Sequence, residues 1–202
     1  MTRIKLCGLT RPCDIQAANL LKPDYVGFVF APGSRRCLSP AQAAELRLLL
    51  NPGILAVGVF VDERPEQVAA LLSRGIIDAA QLHGQEGEAY LQALRRLTDK
   101  PILQAFRIAS PEDVAQAEAS SADGILLDSG AGSGAVLDWT LLKGLSSPCF
   151  LAGGLTPDNV AAAIDAVRPY AVDVSSGIET GGQKDPQKMA AFMAAVRKEE
   201  RE

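Results

Sequence analysis

Short apolar runs alternate along the chain with longer stretches in which apolar residues recur at helical spacing. The runs are Ile4–Cys7, Tyr25–Phe30, Ile54–Val61, Ile77–Leu82, Ile102–Phe106, Gly124–Asp128, Cys149–Ala152 and Ala171–Ser175. Their length and their β-branched and aromatic content predict strands. Between them lie Pro12–Leu21, Pro40–Leu49, Pro65–Arg74, Glu86–Leu97, Pro111–Ala119, Pro157–Val167 and Pro186–Lys198. These are rich in Ala, Leu, Gln, Glu and Arg, which lose little freedom in a helix. Ser39-Pro40, Ser110-Pro111, Thr156-Pro157 and Asp185-Pro186 are start signals: a side-chain oxygen for an orphan N–H, then a proline with its φ already set.

The ends of successive apolar runs fall 21 to 31 residues apart. Strands alternating with helices at that pitch call for right-handed crossovers and an all-parallel sheet. Eight such units close into a compact (β/α)8 TIM barrel, here one domain over residues 1–202, against about 250 residues usual for that fold. The alternative, an open doubly wound sheet, carries a G-x-G-x-x-G turn after its first strand. This chain has Cys7-Gly8-Leu9-Thr10 there, so the closed barrel is expected.

Composition narrows the function. Twenty basic against twenty-four acidic residues leave a net charge of −4, with no excess to hold a nucleic acid. No apolar run approaches the ~20 residues that cross a bilayer, and the first residues enter a strand without the apolar core of a secretory signal. The expected compartment is the cytoplasm. Cys7, Cys13, Cys37 and Cys149 form no C-x-x-C pair and read as reduced thiols, and His83, the one histidine, has no ligand spacing around it for a metal.

In such a barrel the chemistry sits where strands end. After the seventh run comes Ala152-Gly153-Gly154-Leu155-Thr156-Pro157, and after the eighth Ser175-Ser176-Gly177. Glycines let backbone N–H groups approach a ligand, and a helix beginning at Thr156-Pro157 would add its positive end, so the two turns together predict a phosphate cradle. Asp128 closes an otherwise apolar run and is a candidate general acid or base. Cys7 closes the first run, and strand alternation turns Lys5 and Cys7 to the barrel interior. Arg35-Arg36 reads equally as a solvated pair or an anion clamp, His83 as a structural or a site residue, and Gly130-Ala131-Gly132-Ser133-Gly134 as a lid or a second anion nest. The final residues, Lys198 to Glu202, read as a frayed helix end.

Assembled, these residues resemble the phosphoribosylanthranilate isomerase family, (β/α)8 enzymes of tryptophan biosynthesis. The carriers are Lys5-Leu6-Cys7-Gly8-Leu9-Thr10, Ser34-Arg35-Arg36 with Ser39-Pro40, Val57-Gly58-Val59-Phe60 and Gln81-Leu82-His83-Gly84. Leu126-Leu127-Asp128, Gly132-Ser133-Gly134 with Asp138-Trp139, Leu151 to Leu155, and Asp173 to Glu179 follow. The resemblance implies an Amadori rearrangement of a phosphoribosylated anthranilate without metal or cofactor. Cys7 would be the general base at C2, with its strand-end setting favouring thiolate, and Asp128 the general acid at the ring oxygen. Arg36 would meet the anthranilate carboxylate as a planar fork. Gly153, Gly154, Ser175, Ser176 and Gly177 would hold the phosphate, with Asp173 orienting sugar hydroxyls or Cys7, and His83 facing the substrate. It implies a small-molecule phosphosugar partner and a monomer or homodimer.

Two departures stand out: Ala131 and Ala135 occupy places where many relatives have Gly and a basic residue, and Gln104 replaces a common Lys. Two alternatives remain at this point. The aminoaldose isomerase of histidine biosynthesis runs the same rearrangement, but from an Asp where this chain has Cys7. A barrel that binds a phosphorylated ligand without turnover is the other.

Overall fold

The computed structural model describes residues 1–130 and 137–199. Strands β1 (Arg3–Cys7), β2 (Tyr25–Val29), β3 (Leu55–Phe60), β4 (Ala79–Leu82), β5 (Ile102–Arg107), β6 (Gly124–Asp128), β7 (Cys149–Leu151) and β8 (Ala171–Val174) pair in chain order, all parallel. The sheet closes through β1 against β8, with Lys5 opposite Asp173. Helices α1 (Pro12–Leu21), α2 (Pro40–Leu49), α3 (Pro65–Ser73), α4 (Glu88–Arg95), α5 (Pro111–Glu118), α6 (Val160–Val167) and α7 (Pro186–Glu199) make the crossovers and the outer layer. Among the described residues the β6 to β7 crossing carries only a 3-10 turn, Trp139–Leu142.

Closure of the sheet sorts the apolar residues into two cores. One face of the strands packs under the helices, with Leu6, Phe28, Phe60, Ala80, Leu82, Leu127 and Leu151 buried there against Ile15, Val68, Leu72, Leu94 and Phe192. The alternate residues fill the barrel: Tyr25, Val57, Ala79, Leu103, Leu126, Phe150 and Ala171 form the lower interior layer. Cys7, Val29, Ala31 and Val59 cluster above it. Period-2 alternation thereby decides which strand residues reach the mouth.

The helix starts follow the sequence signals with two corrections. Ser39 and Ser110 cap α2 and α5, accepting from the N–H groups of Gln42 and Asp113. Asp185 does the same for α7, its Oδ1 accepting from the N–H of Gln187 at 2.9 Å. Thr156-Pro157, however, does not open a helix. The Asn159 side chain accepts from the Thr156 N–H (2.8 Å) and donates to the Gly154 carbonyl (3.0 Å), which holds a turn and delays α6 to Val160. Glu86 likewise precedes its helix, because its carboxylate accepts from the N–H groups of Asp62 and Gly84 and braces that loop.

One element has no counterpart among the expected ones. After β8 a 3-10 turn (Ser176–Ile178) leads into an antiparallel hairpin, β9 (Glu179–Thr180) and β10 (Gln183–Lys184). Its two-residue turn is Gly181-Gly182, with φ of 59° and 81°, the left-handed pair that a tight hairpin demands. The Gly-Gly dipeptide was the sequence signal for it. The expected Gly-rich lid falls mostly on residues 131–136, and the end of the expected frayed tail on 200–202; both stretches lie outside the described residues.

Candidate active site

The strand ends open on a cavity of about 690 Å³ lined by Cys7, Arg36, Gln81, His83, Asp128, Gly153, Gly154, Asp173, Ser175 and Ser176 among others. Nine of the ten residues singled out from sequence therefore meet in one place. The tenth, Gly177, is behind the wall: a methyl group on it would fall 1.9 Å from the Leu155 carbonyl oxygen. It is the point of closest approach between the β7 and β8 loops, and only a residue without Cβ lets them touch.

Cys7 is buried at the end of β1, two residues above Lys5. Lys5 is wholly inside the barrel, where its ammonium donates to Asp173 Oδ2 (2.9 Å) and Gln81 Oε1 (2.8 Å). Burial disfavours that charge, but Asp173 and Cys7 together hold the Lys5 ammonium above its ordinary range. The expectation that Cys7 is set up as a thiolate is not met. Burial pushes its thiol up, Asp173 adds to the rise, and the opposing pull of Lys5 and Lys184 is too small to reverse it. A thiol at the floor of a barrel mouth loses more hydration on ionising than one buried cation returns.

Asp128 ends β6 on the other side of the cavity. Burial works against its charge, but His83 and the N–H groups of Ser129 and Gly130 hold the carboxyl below the ordinary carboxylate range. Its Oδ1 accepts from the Gly130 N–H at 3.1 Å, and its Oδ2 faces His83 Nε2 at 3.5 Å. A methyl group on Gly153 would stand 2.9 Å from that Oδ1 and 2.5 Å from Ser129 Oγ, so the β7 loop packs directly against the β6 end. Asp173, next to last in β8, uses Oδ2 on Lys5, while its buried Oδ1 has no hydrogen-bond partner among the described residues.

Arg36 does not present an open fork. Its Nε and Nη2 donate to Glu179 Oε1 (2.6 Å) and Oε2 (2.9 Å). Both oxygens of this buried carboxylate are shared, Oε1 with Lys184 Nζ at 2.7 Å and Oε2 with Arg35. Despite burial, these cations hold Glu179 down at about 2. Lys184 also donates to the carbonyl of Ser175 (2.8 Å) and lies 3.3 Å from its hydroxyl, which sets a buried ammonium directly behind the β8 loop. Sequence reasoning gave Glu179 and Lys184 no site role: the arginines that Glu179 binds lie some 140 positions earlier, and Lys184 meets Glu179 and Ser175 only because the unexpected hairpin folds it back. Gln104 is turned away from this chemistry, donating to the Glu86 carbonyl and accepting from Ser120.

All four cysteines are free thiols. Among the described residues no cluster of three His, Cys, Asp or Glu could hold a metal, and no helix is long and apolar enough to cross a membrane.

A closed parallel barrel with a thiol and a carboxylate facing one cavity, backed by two glycine-bearing loops and a buried ammonium, defines a small-molecule enzyme of acid–base type. The family model of N-(5'-phosphoribosyl)anthranilate isomerase matches residues 4–195. The chain is 46% identical to the N-(5'-phosphoribosyl)anthranilate isomerase of Dechloromonas aromatica, covering 98% of this chain and 97% of that one. The crystal structure of the Thermotoga maritima phosphoribosylanthranilate isomerase superposes with a TM-score of 0.90 at 36% identity, over 98% of this chain and all of that one. A further phosphoribosylanthranilate isomerase, in complex with reduced 1-(o-carboxyphenylamino)-1-deoxyribulose 5-phosphate, superposes at 0.88 with 35% identity over 98% of this chain and all of that one. This chain belongs to the phosphoribosylanthranilate isomerase family.

Proposed function

We propose that the chain converts N-(5'-phosphoribosyl)anthranilate to 1-(2-carboxyphenylamino)-1-deoxyribulose 5-phosphate, the third step from chorismate in tryptophan biosynthesis. The observation that carries the proposal is the placement of Cys7 and Asp128 on one cavity with the two glycine-bearing loops.

Asp128 protonates the ribose ring oxygen, and the C1–O bond breaks as the anilino nitrogen forms a double bond to C1. Cys7 thiolate then takes the proton from C2, and the C–H electron pair forms a C1–C2 double bond that neutralises the nitrogen. The resulting enol loses its hydroxyl proton and gains one at C1 to give the ketone. One proton enters and one leaves in each half, so no oxidant, reductant or cofactor is needed.

The surroundings of these groups favour the opposite states, a thiol at Cys7 and a carboxylate at Asp128. The proton count is nevertheless the same as in the reactive form, so the reactive form arises by redistribution within the pair. Gly153, Gly154, Ser175 and Ser176 receive the phosphate with the Lys184 ammonium behind them, while Gly177 keeps the two loops together. The unpartnered Oδ1 of Asp173 accepts from a sugar hydroxyl. Arg36, with two of its donors already on Glu179, meets the anthranilate carboxylate edge-on with what remains of its fork. His83 acts beside Asp128. The proposal carries with it a single barrel domain over 1–202, a cytoplasmic location and assembly as monomer or homodimer; the Thermotoga maritima relative is described as dimeric.

The test is the decay of phosphoribosylanthranilate fluorescence on adding the purified protein, with Cys7→Ser and Asp128→Asn beside it. Turnover by the wild type and a loss of at least ~10²-fold in each variant are expected. No decay with folded wild type overturns the proposal.

A further inference from the structure

Five side chains form a continuous line across the barrel at the floor of the cavity. Asp173 Oδ2 and Lys5 Nζ are 2.9 Å apart, Lys5 Nζ and Gln81 Oε1 2.8 Å, Gln81 Nε2 and His83 Nδ1 3.0 Å. The line ends at Asp128, whose Oδ2 is 3.5 Å from His83 Nε2. Lys5 and Gln81 are buried from solvent.

The polarity of this line follows from what each group can do. An ammonium has donors only, so the Gln81 atom facing Lys5 is the carbonyl oxygen. The amide nitrogen must then face His83, and it too only donates, so Nδ1 of the ring is the acceptor. A ring that accepts at Nδ1 carries its proton on Nε2, which is the nitrogen aimed at Asp128.

We propose that Lys5 and Gln81 are positioning residues, which fix His83 in the tautomer that directs Nε2–H at Asp128. The inference rests on the acid role of Asp128 proposed above. When Asp128, protonated in the reactive form, gives up its proton, it becomes a carboxylate beside a fixed donor, so the hydrogen bond strengthens as the ring opens and assists the transition state more than that reactive form. The other tautomer would set a lone pair against the forming carboxylate and compete for its proton. The charge that fixes the tautomer is itself held by Asp173, at the far wall of the barrel.

Because the chain has a single histidine, ring nitrogen NMR reads this state without assignment ambiguity. The wild type is expected to show an unprotonated Nδ1 and a protonated Nε2. Gln81→Glu is near-isosteric and replaces the donor with an acceptor, so Nδ1 becomes protonated and kcat falls at least ~10-fold, while KM changes little. Gln81→Met removes the donor and leaves a mixture of tautomers with an intermediate kcat. A merely structural role would lower thermal stability in both variants and leave the ring nitrogens as in wild type. A protonated Nδ1 in wild type, or unaltered ring signals and kcat in folded Gln81→Glu, overturns the inference. If wild type shows the expected tautomer but no turnover, it is the isomerase assignment that fails, with the side-chain arrangement intact.

Discussion

Gly27 sits opposite Cys7 in the β1–β2 pairing, and a methyl group on it would stand 2.5 Å from the Cys7 sulfur and 3.0 Å from its Cα. No rearrangement of a flexible tip relieves such a contact, because one of the two atoms is backbone. Gly27→Ala is expected to push the thiol out of line with the substrate and to lower kcat by about 10²-fold, the usual effect of a displacement near 1 Å. Steady-state kinetics on folded variant checks this; a wild-type kcat would show that Cys7 is not the group that must be held.

Gly177 tests the cradle separately from the proton chemistry. Its missing Cβ would overlap the Leu155 carbonyl at 1.9 Å, so Gly177→Ala must part the β7 and β8 loops. A rise in KM of at least ~10-fold with a smaller change in kcat is expected, since the phosphate is bound alike in ground and transition state. An unaltered KM would remove the paired loops from phosphate binding.

The Glu179 cluster makes a prediction about stability. Its carboxyl is held at about 2 in the folded protein against an ordinary 4.5. A group whose folded value is depressed stabilises the fold above its unfolded value and loses that contribution as pH falls through the folded one. The shift corresponds to a contribution on the order of 3 kcal/mol. Glu179→Gln is expected to cost a similar amount at pH 7, leaving the buried Lys184 without its counter-charge. The gap between wild type and variant in urea unfolding should close between pH 4.5 and about 2. A gap that does not depend on pH would contradict this.

The pH profile of kcat/KM follows from Asp128 and Cys7. Asp128 is held below the carboxylate range and the Cys7 thiol is pushed up. Below the first limb both groups are protonated and no base is available; above the second both are ionised and no acid remains. A flat region between the two limbs, covering neutral pH, is expected. An ascending limb between pH 6 and 8 in the free enzyme would show that a different group supplies the base.

The barrel was legible in the sequence because each strand and helix is specified by neighbours in the chain. Period-2 apolar runs, helical spacing and Ser-Pro or Asp-Pro starts are local signals. They failed where a side chain was used for something non-local to the element: Asn159 bracing the turn at Thr156, and Glu86 capping the loop of Asp62. The mouth of the barrel was legible for a related reason. Once the strands are placed, the residue that ends each one is at the active face, so Cys7, Asp128 and the two glycine-bearing loops were found by position, while Asp173 came with the family resemblance.

The sequence by itself thus determined the strand order, the inward face of β1 and which residues end the strands. Tertiary structure alone decided the ionic partners. Arg36 is bound by Glu179 rather than open to solvent, Lys184 stands behind Ser175, and Lys5 joins Asp173 to Gln81. It also decided the protonation of Cys7, for which residue type and strand position suggested thiolate and burial imposed thiol. The physical reason is range. Backbone periodicity is set within a few residues, whereas charge, desolvation and hydrogen-bond polarity depend on whatever the closed sheet brings within a few ångströms, and partners such as Lys5 and Asp173 or Arg36 and Glu179 come from far apart in the chain.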